Sequence, residues 1–253
     1  MRIASSDITE AFERCGVMKG SILMLHVDAI FLSQLPIMHS NDRYQILFKS
    51  IFEVLGKEGT LLIPTFSYSA TNNESYNAEE TPSAVGGFSE YFRQFPNVIR
   101  SKDPIFSIAA YGKNAEDFMN INFEDSFGLN SIFSKLLEHN VIISTLACSF
   151  NRVTFTHYVE RVNNVDYRYD KYFRYSIIDE DKTITGKIKY FVRDLERDTR
   201  TDLSLLKSRM MSKNKFMQVP IGRFLLNKVY CKDFYEEATA LLLENPNALI
   251  REQ

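Results

Sequence analysis

Four histidines stand at positions 26, 39, 139 and 157, and two of them have neighbours that suit an imidazole to chemistry. His157 lies in the segment VTFTHYVERV (153–162), on the first turn of an expected helix that follows a buried strand. Glu160, three residues on, shares its helical face and can orient the ring or hold its proton, which is the arrangement of a general base. Thr154 and Thr156 place hydroxyls beside it. His26 closes the apolar run SILMLHVD (21–28), at the C-terminal end of an expected strand, where open α/β sheets keep their ligands. A hydrogen-bonded packing histidine would occupy the same place. His39 and His139 have polar loop or helix-end neighbours and read as solvated bystanders.

Other chemistries lose ground on the same inventory. With no H-E-x-x-H, no H-x-H and no Cys/His quartet, no metal is expected. A G-x-S-x-G elbow and the S-x-x-K set with its partners are absent, as are a P-loop and G-x-G-x-x-G. In RQFPNVIRSKDPIFS (93–107), Arg93, Arg100, Ser101, Lys102 and Ser107 gather in a turn-rich stretch before a strand. Their donors suit phosphate oxygens, and a solvated basic loop would look the same.

The elements that must hold these residues are legible as apolar periodicity. Residues 6–17 and 43–56 have helical spacing, while 21–28 and 59–67 are buried runs of strand length, so strand, helix and strand form a right-handed parallel crossover. A long loop is expected over 68–83, a short helix over 89–95, a strand over 104–112, a helix over 129–140 and a buried strand over 141–149. From about residue 167 aromatics alternate with charges around turn residues 179–181, the pattern of an antiparallel hairpin with one wet face. A polar segment with a helical core (196–214), one strand (219–230) and a terminal helix (231–246) follow. The fold class is therefore α/β (α+β): a central mixed sheet flanked by helices, with a smaller antiparallel β subregion in the C-terminal third. One domain over 1–253 is expected, an α/β core at 1–165 followed by the antiparallel hairpin and terminal helix at 166–253.

Composition narrows the function classes. In 253 residues, 45% hydrophobic against 25% charged side chains is the balance of an ordinary globular protein, and a net charge of −2 provides no field to attract nucleic acid. Cys15, Cys148 and Cys231 are an odd, widely spaced set, so no disulfide framework is expected and a reducing cytoplasm fits. The N-terminal stretch has no apolar h-region, and no apolar run approaches the roughly 18 residues of a membrane span.

Read in order, LHVD (25–28), GTLLIPTFS (59–67), the segment 81–112, GLNSIFSKL (128–136), TFTHYVE (154–160) and PIG (220–222) resemble the aminoglycoside 3-N-acetyltransferase family and its relatives that acylate amino sugars. The resemblance implies a coenzyme A-dependent N-acyltransferase of largely α/β fold, with His157 as general base; in direct attack on the thioester, Glu160 or another carboxylate would orient the ring and Thr154 would donate to the oxyanion or the leaving sulfur. It also implies that His26, Val27 and Asp28, with Val98, Arg100, Ser101 and Ser107, cradle the acyl-CoA. Asp28 stands where the family carries a hydroxyl residue, Asp103 where it carries a histidine, and Val153 where it carries an asparagine, departures that point to a specialised branch.

The near-balanced charge and the cations among the tyrosines of 167–197 favour a nucleotide-linked amino sugar, of the kind used in lipopolysaccharide biosynthesis, over a polycationic aminoglycoside. Tyr68, Glu90 and Arg168 are the expected acceptor contacts, with Arg168, Lys171 and Arg174 drawing the diphosphate and Tyr167, Tyr169 or Tyr172 stacking on the base. An aminoglycoside 3-N-acetyltransferase is the alternative; an inactive binding protein and a metal-dependent hydrolase are weaker readings. The expected partners are small molecules, with no nucleic acid and no membrane span, and a homodimer is the assembly to look for.

Overall fold

Apolar runs of strand length form the centre of the molecule, seen in a computed structural model that describes residues 2–36 and 39–251. In chain order the elements are α1 (Ser5–Arg14), β1 (Ile22–Val27), α2 (Ser40–Leu55), β2 (Thr60–Pro64), α3 (Ser69–Asn72), β3 (Ser75–Tyr76), α4 (Gly87–Arg93), β4 (Ile99–Arg100) and β5 (Ile108–Gly112). They continue with α5 (Ile132–Glu138), β6 (Ile142–Leu146), α6 (Phe155–Val162), β7 (Arg168–Asp179), β8 (Lys182–Arg193), α7 (Ser204–Ser212), β9 (Phe216–Ile221), β10 (Phe224–Tyr230) and α8 (Cys231–Glu244).

Seven strands make one mixed sheet in the order β4-β5-β2-β1-β6-β10-β9. β1 runs parallel to both β2 and β6, while β5 and β10 close the ladder antiparallel on either side. Because side chains alternate across a strand, each face receives its own core. Leu23 and Leu25 pack with Phe12, Leu47 and Ile51 of α1 and α2, whereas Met24 packs with Phe133 and Leu136 of α5, Phe155 and Val159 of α6, and Phe234 of α8. His26 follows Met24 on the second face. The chain leaves β1 for β2 on one side and returns to β6 on the other, so the C-terminal ends of β1 and β6 flank a crevice at a topological switch point.

The second sheet is the β7–β8 hairpin, twelve residues on each strand, with β3 added parallel to β7. Glu180 turns it in the left-handed region, at φ 52°. No helix among the described residues is long and apolar enough to cross a membrane.

Three expectations are corrected. The stretch 219–230 is the hairpin β9–β10 rather than one strand: Gly222, at φ +58°, makes the turn, and a Cβ there would lie 2.2 Å from Gln34 Oε1. The strand expected over 104–112 begins at Ile108, because Asp103 accepts the backbone N–H groups of Ile105 and Phe106 at 2.8 Å each and bends the chain before it. The loop 68–83 holds α3 and β3, and β3 docks Tyr76 under the loop, fully buried, with its hydroxyl donating to Ser101 O at 2.7 Å.

Candidate active site

Helix α6 starts at the residue after Thr154 and puts positions 154, 157 and 161 on one face. Three polar side chains converge on Glu160, whose side chain has no exposure. His157 Nδ1 lies 2.7 Å from Glu160 Oε2, and Arg168 Nε, at the start of β7, lies 2.7 Å from the same oxygen. The Tyr167 hydroxyl donates to Oε1 at 3.1 Å. Burial alone would raise the Glu160 carboxyl, but His157, Arg168 and Tyr167 more than offset it and hold the group below the ordinary carboxylate range. With Glu160 ionised, Nδ1 is the donor and Nε2 is left with its lone pair.

Burial and then the Arg168 guanidinium lower the His157 imidazole, against the pull of Glu160. His157 therefore stands neutral at physiological pH, with 22% of its side chain exposed and the Phe127 ring edge-on at 5.4 Å. A neutral, part-exposed imidazole oriented by a buried carboxylate can take a proton from an incoming amine.

Two clefts border α6, one reached by Thr154 and the other by Arg161, Val162 and Phe127, whose ring packs against His157. A cleft of about 490 Å³ opens at the C-terminal ends of β1 and β2, lined by His26, Val27, Asp28, Tyr68, Arg152 and Thr154. On the other side a larger one, about 910 Å³, is lined by Asp125, Phe127, Arg161, Tyr172, Lys187 and Lys189. Cys148 lies on the first cleft and also on a third, of about 460 Å³, that contains Lys207 and Arg223. Among the described residues, Arg152, Lys207 and Arg223 form no ion pair with a carboxylate.

Within the larger cleft the charges pair off. Arg161 reaches Asp125 and Asp170 at 3.3 Å each, and Lys189 stands 2.8 Å from Asp125 and 3.7 Å from Asp170. Tyr172 is 63% exposed at the same rim.

His157, Glu160 and Thr154 thus come together, and His26, Val27 and Asp28 line the smaller cleft. Among the described residues neither ring nitrogen of buried His26 meets a well-formed hydrogen-bond partner, and burial, opposed only by the Ser144 backbone, pushes it down to about 4, so it faces the cleft as a neutral ring. Asp28 caps the following turn by accepting the Ile30 N–H at 3.0 Å.

The expected phosphate loop is not assembled. Arg100 is buried, with Nε donating to Thr65 Oγ1 and Ser107 Oγ at 3.1 Å each and its other nitrogens donating to Ala78, Thr81 and Thr65 carbonyls. Ser101 and Ser107 are buried as well, Ser101 Oγ accepting the Ile108 N–H. Val98 packs into the core beneath α2, Arg93 is held by Glu90, and Lys102 by Asp179. These side chains tie the 65, 78–81 and 99–108 segments together and present no shared anion surface.

The acceptor contacts are redistributed too. Tyr68 lines the smaller cleft, Glu90 is occupied by Arg93, Gln94 and the Ser83 N–H, and Arg168 is only 3% exposed beside Glu160. Tyr167 is likewise buried, leaving Tyr169 and Tyr172 outward. Arg161 and Arg152 were not singled out from sequence; Arg161, four residues after His157, carried a signal in the helical spacing itself.

A family model described as aminoglycoside 3-N-acetyltransferase matches residues 24–242. The SPbeta prophage-derived aminoglycoside N(3')-acetyltransferase-like protein YokD of Bacillus subtilis (strain 168) is 24% identical over 177 residues, which are 61% of this chain and 63% of that protein. This chain thus matches less than two thirds of that relative's length in sequence. The crystal structure of YokD from Bacillus subtilis superposes with a TM-score of 0.82 at 19% identity, covering 99% of this chain and 97% of that one. The apoenzyme of aminoglycoside acetyltransferase AAC(3)-IVa gives 0.80 at 20% identity, covering 100% and 93%. AAC-IIIb in its binary complex with CoASH gives 0.82 at 16% identity, covering all of both chains.

Proposed function

The chain belongs to the aminoglycoside 3-N-acetyltransferase family, and from that premise we propose that it is an acyl-coenzyme A-dependent N-acyltransferase, acetyl-CoA being the donor, with His157 as general base. The observation that carries the reading is the His157 imidazole, oriented by buried Glu160 between two clefts. The smaller cleft suits the acyl carrier: His26 and Tyr68 offer ring surface to a pantetheine arm, and Thr154 adds a hydroxyl to its lining. The larger suits the amine.

His157 Nε2 takes the proton that the acceptor amine loses as its nitrogen bonds to the thioester carbonyl carbon. The Thr154 hydroxyl is placed to donate to the oxygen that gains charge, or to the sulfur. When the carbon–sulfur bond breaks, the imidazolium returns its proton to the departing thiolate, so the amide and free thiol leave and the enzyme is unchanged. Glu160 remains a carboxylate throughout and fixes the ring.

The neighbouring structures bound to a gentamicin, sisomicin and apramycin support an aminoglycoside as the acceptor class. A second reading, a nucleotide-linked amino sugar such as lipopolysaccharide assembly consumes, is favoured by one observation: Asp125 and Asp170 are already matched by Arg161 and Lys189, and Lys187 offsets Glu124, so the cleft has no surplus of carboxylates for a polycation.

The test is thiol release from acetyl-CoA with panels of both acceptor classes, wild type against His157→Ala. The variant is expected to lose at least about a hundredfold in kcat, the usual scale for a positioned base, while still binding coenzyme A. Wild-type turnover in a folded His157→Ala protein would remove His157 from the chemistry.

A further inference from the structure

We propose that Arg168 is a positioning residue for the base: its guanidinium holds Glu160 as an acceptor-only carboxylate, so that His157 keeps Nδ1–H toward Glu160 and a bare Nε2 toward the clefts. The proposal rests on the reading of His157 as the base.

The geometry is specific. Glu160 Oε2 is shared by His157 Nδ1 and Arg168 Nε, each at 2.7 Å, while Oε1 accepts from Tyr167. Arg168 is fixed from the far side by an Nη1 bond to Phe191 O on β8 at 3.4 Å, and its side chain is 3% exposed. It can reach neither solvent nor an acceptor phosphate, so its charge acts inside the protein.

Charge counting shows what that does. A guanidinium stays protonated, so with Glu160 ionised and His157 neutral the buried cluster sums to zero. Protonating His157 would leave a net positive charge out of water, which is costly. Without Arg168 the balance reverses: a buried carboxylate alone with an imidazole favours either an imidazolium or a protonated Glu160, and the first is no longer a base. A lone His-x-x-Glu pair would tend to store the proton that this site needs to accept.

The titratable groups packed around the Glu160–Arg168 pair agree with this. Glu160 comes from α6 itself, and from β7 come Arg168 and Tyr167, whose hydroxyl burial and Glu160 push well above the ordinary tyrosine range. Tyr190 on β8 is raised by burial and feels both Arg168 and Glu160. The 122–130 loop offers the Phe127 ring, and its Asp125 is closed in ion pairs with Arg161 and Lys189.

The imidazole signals of the four histidines, assigned with His157→Gln, are followed by NMR from pH 5 to 9 in the wild type, Arg168→Met and Arg168→Lys, alongside kcat/KM profiles. In the wild type, His157 is expected neutral at pH 7 with the proton on Nδ1; an imidazolium there overturns the proposal whether or not any variant folds. Arg168→Met is expected to raise the His157 titration by roughly one unit or more, the usual effect of losing a neighbouring cation. Activity should fall by about threefold or more near pH 6 and recover at high pH, with Arg168→Lys close to wild type. Equal loss at all pH values with an unmoved His157 titration makes Arg168 merely structural. The NMR titration needs no acceptor, so its outcome stands apart from the thiol-release test of the function.

Discussion

Thr154 and Arg161 stand seven residues apart on one face of α6 and open onto different clefts, Thr154 onto the smaller and Arg161 onto the larger. His157 lies between them on the same face. On the proposed reading a donor and an acceptor are held at once on either side of His157, which permits direct transfer. Initial-rate patterns should intersect, as both substrates bind before either product leaves, and no acyl-enzyme burst should appear. Parallel double-reciprocal lines would mean that a protein nucleophile carries the acyl group.

The carrier's phosphates need cations that are not already spent. Arg152, Lys207 and Arg223 lie around the junction at Cys148 where the smaller cleft meets the third, with the Lys207 ammonium over the Phe216 ring at 5.4 Å and the Arg223 guanidinium over the Phe224 ring at 6.0 Å. Coenzyme A at about 100 times its Kd should stabilise the protein by ~2.7 kcal/mol, a rise of several degrees in Tm. Replacing the three cations together by Gln should cut this shift, and raising salt should do the same to the wild type. An undiminished shift in the triple variant would place the phosphates elsewhere.

What the sequence could and could not convey follows from the kind of information each feature needs. The buried runs at 21–28, 59–67 and 141–149 announced a sheet because period and apolarity are local properties, and His157 with Glu160 was visible because helical spacing is local too. Arg100 misled because a cation among hydroxyls looks the same whether the hydroxyls flank a ligand or, like Thr65 and Ser107, use up the guanidinium. Arg168 misled for the converse reason: alternation suggested a wet strand face, but at the mouth of β7 the chain turns Tyr167 and Arg168 inward to meet Glu160. Nothing local announces that partner. The hairpin at 216–230 was hidden because only Gly222 marks its turn.

Two buried groups should shape stability against pH in opposite senses. Burial lowers His26 from 6.5 to about 4, so the unfolded chain takes up a proton first; this stability is present above about pH 6.5 and lost as pH falls to 4. Burial raises Asp103 from 3.8 to about 6 despite the Phe106 and Ile105 N–H donors, so the folded chain takes up a proton first and stability falls as pH rises from 3.8 to 6. Each is worth roughly 3 kcal/mol, and between pH 4 and 6 they largely cancel. Asp103→Asn should expose a steep acid loss in denaturant midpoints, and His26→Gln should flatten it or reverse its sign. If Asp103→Asn follows the wild-type profile, Asp103 does not bind a proton in the folded state over that range.

Acceptor choice turns on Asp125 and Asp170, the carboxylates a polycation would seek. Each lies within 3.7 Å of both Arg161 and Lys189, so an aminoglycoside must displace a side-chain cation, and a diphosphate a carboxylate, for every contact it makes there. All four side chains are between 20% and 36% exposed, which keeps each ion pair modest, at most about 1 kcal/mol. Removing both cations is the sharper experiment, because it changes the sign of the cleft without touching the base. Arg161→Gln with Lys189→Gln should shift the ratio of kcat/KM toward kanamycin-like acceptors over nucleoside diphosphate amino sugars by about tenfold or more, since two carboxylates become free to bind ammonium groups. The wild-type ratio tells which class the protein serves, and the change in ratio tells whether this lattice of charges sets it. A double variant that loses both acceptor classes by the same factor would assign Arg161 and Lys189 to holding the hairpin in place, through the Arg161 guanidinium over the Phe191 ring, rather than to selecting the acceptor.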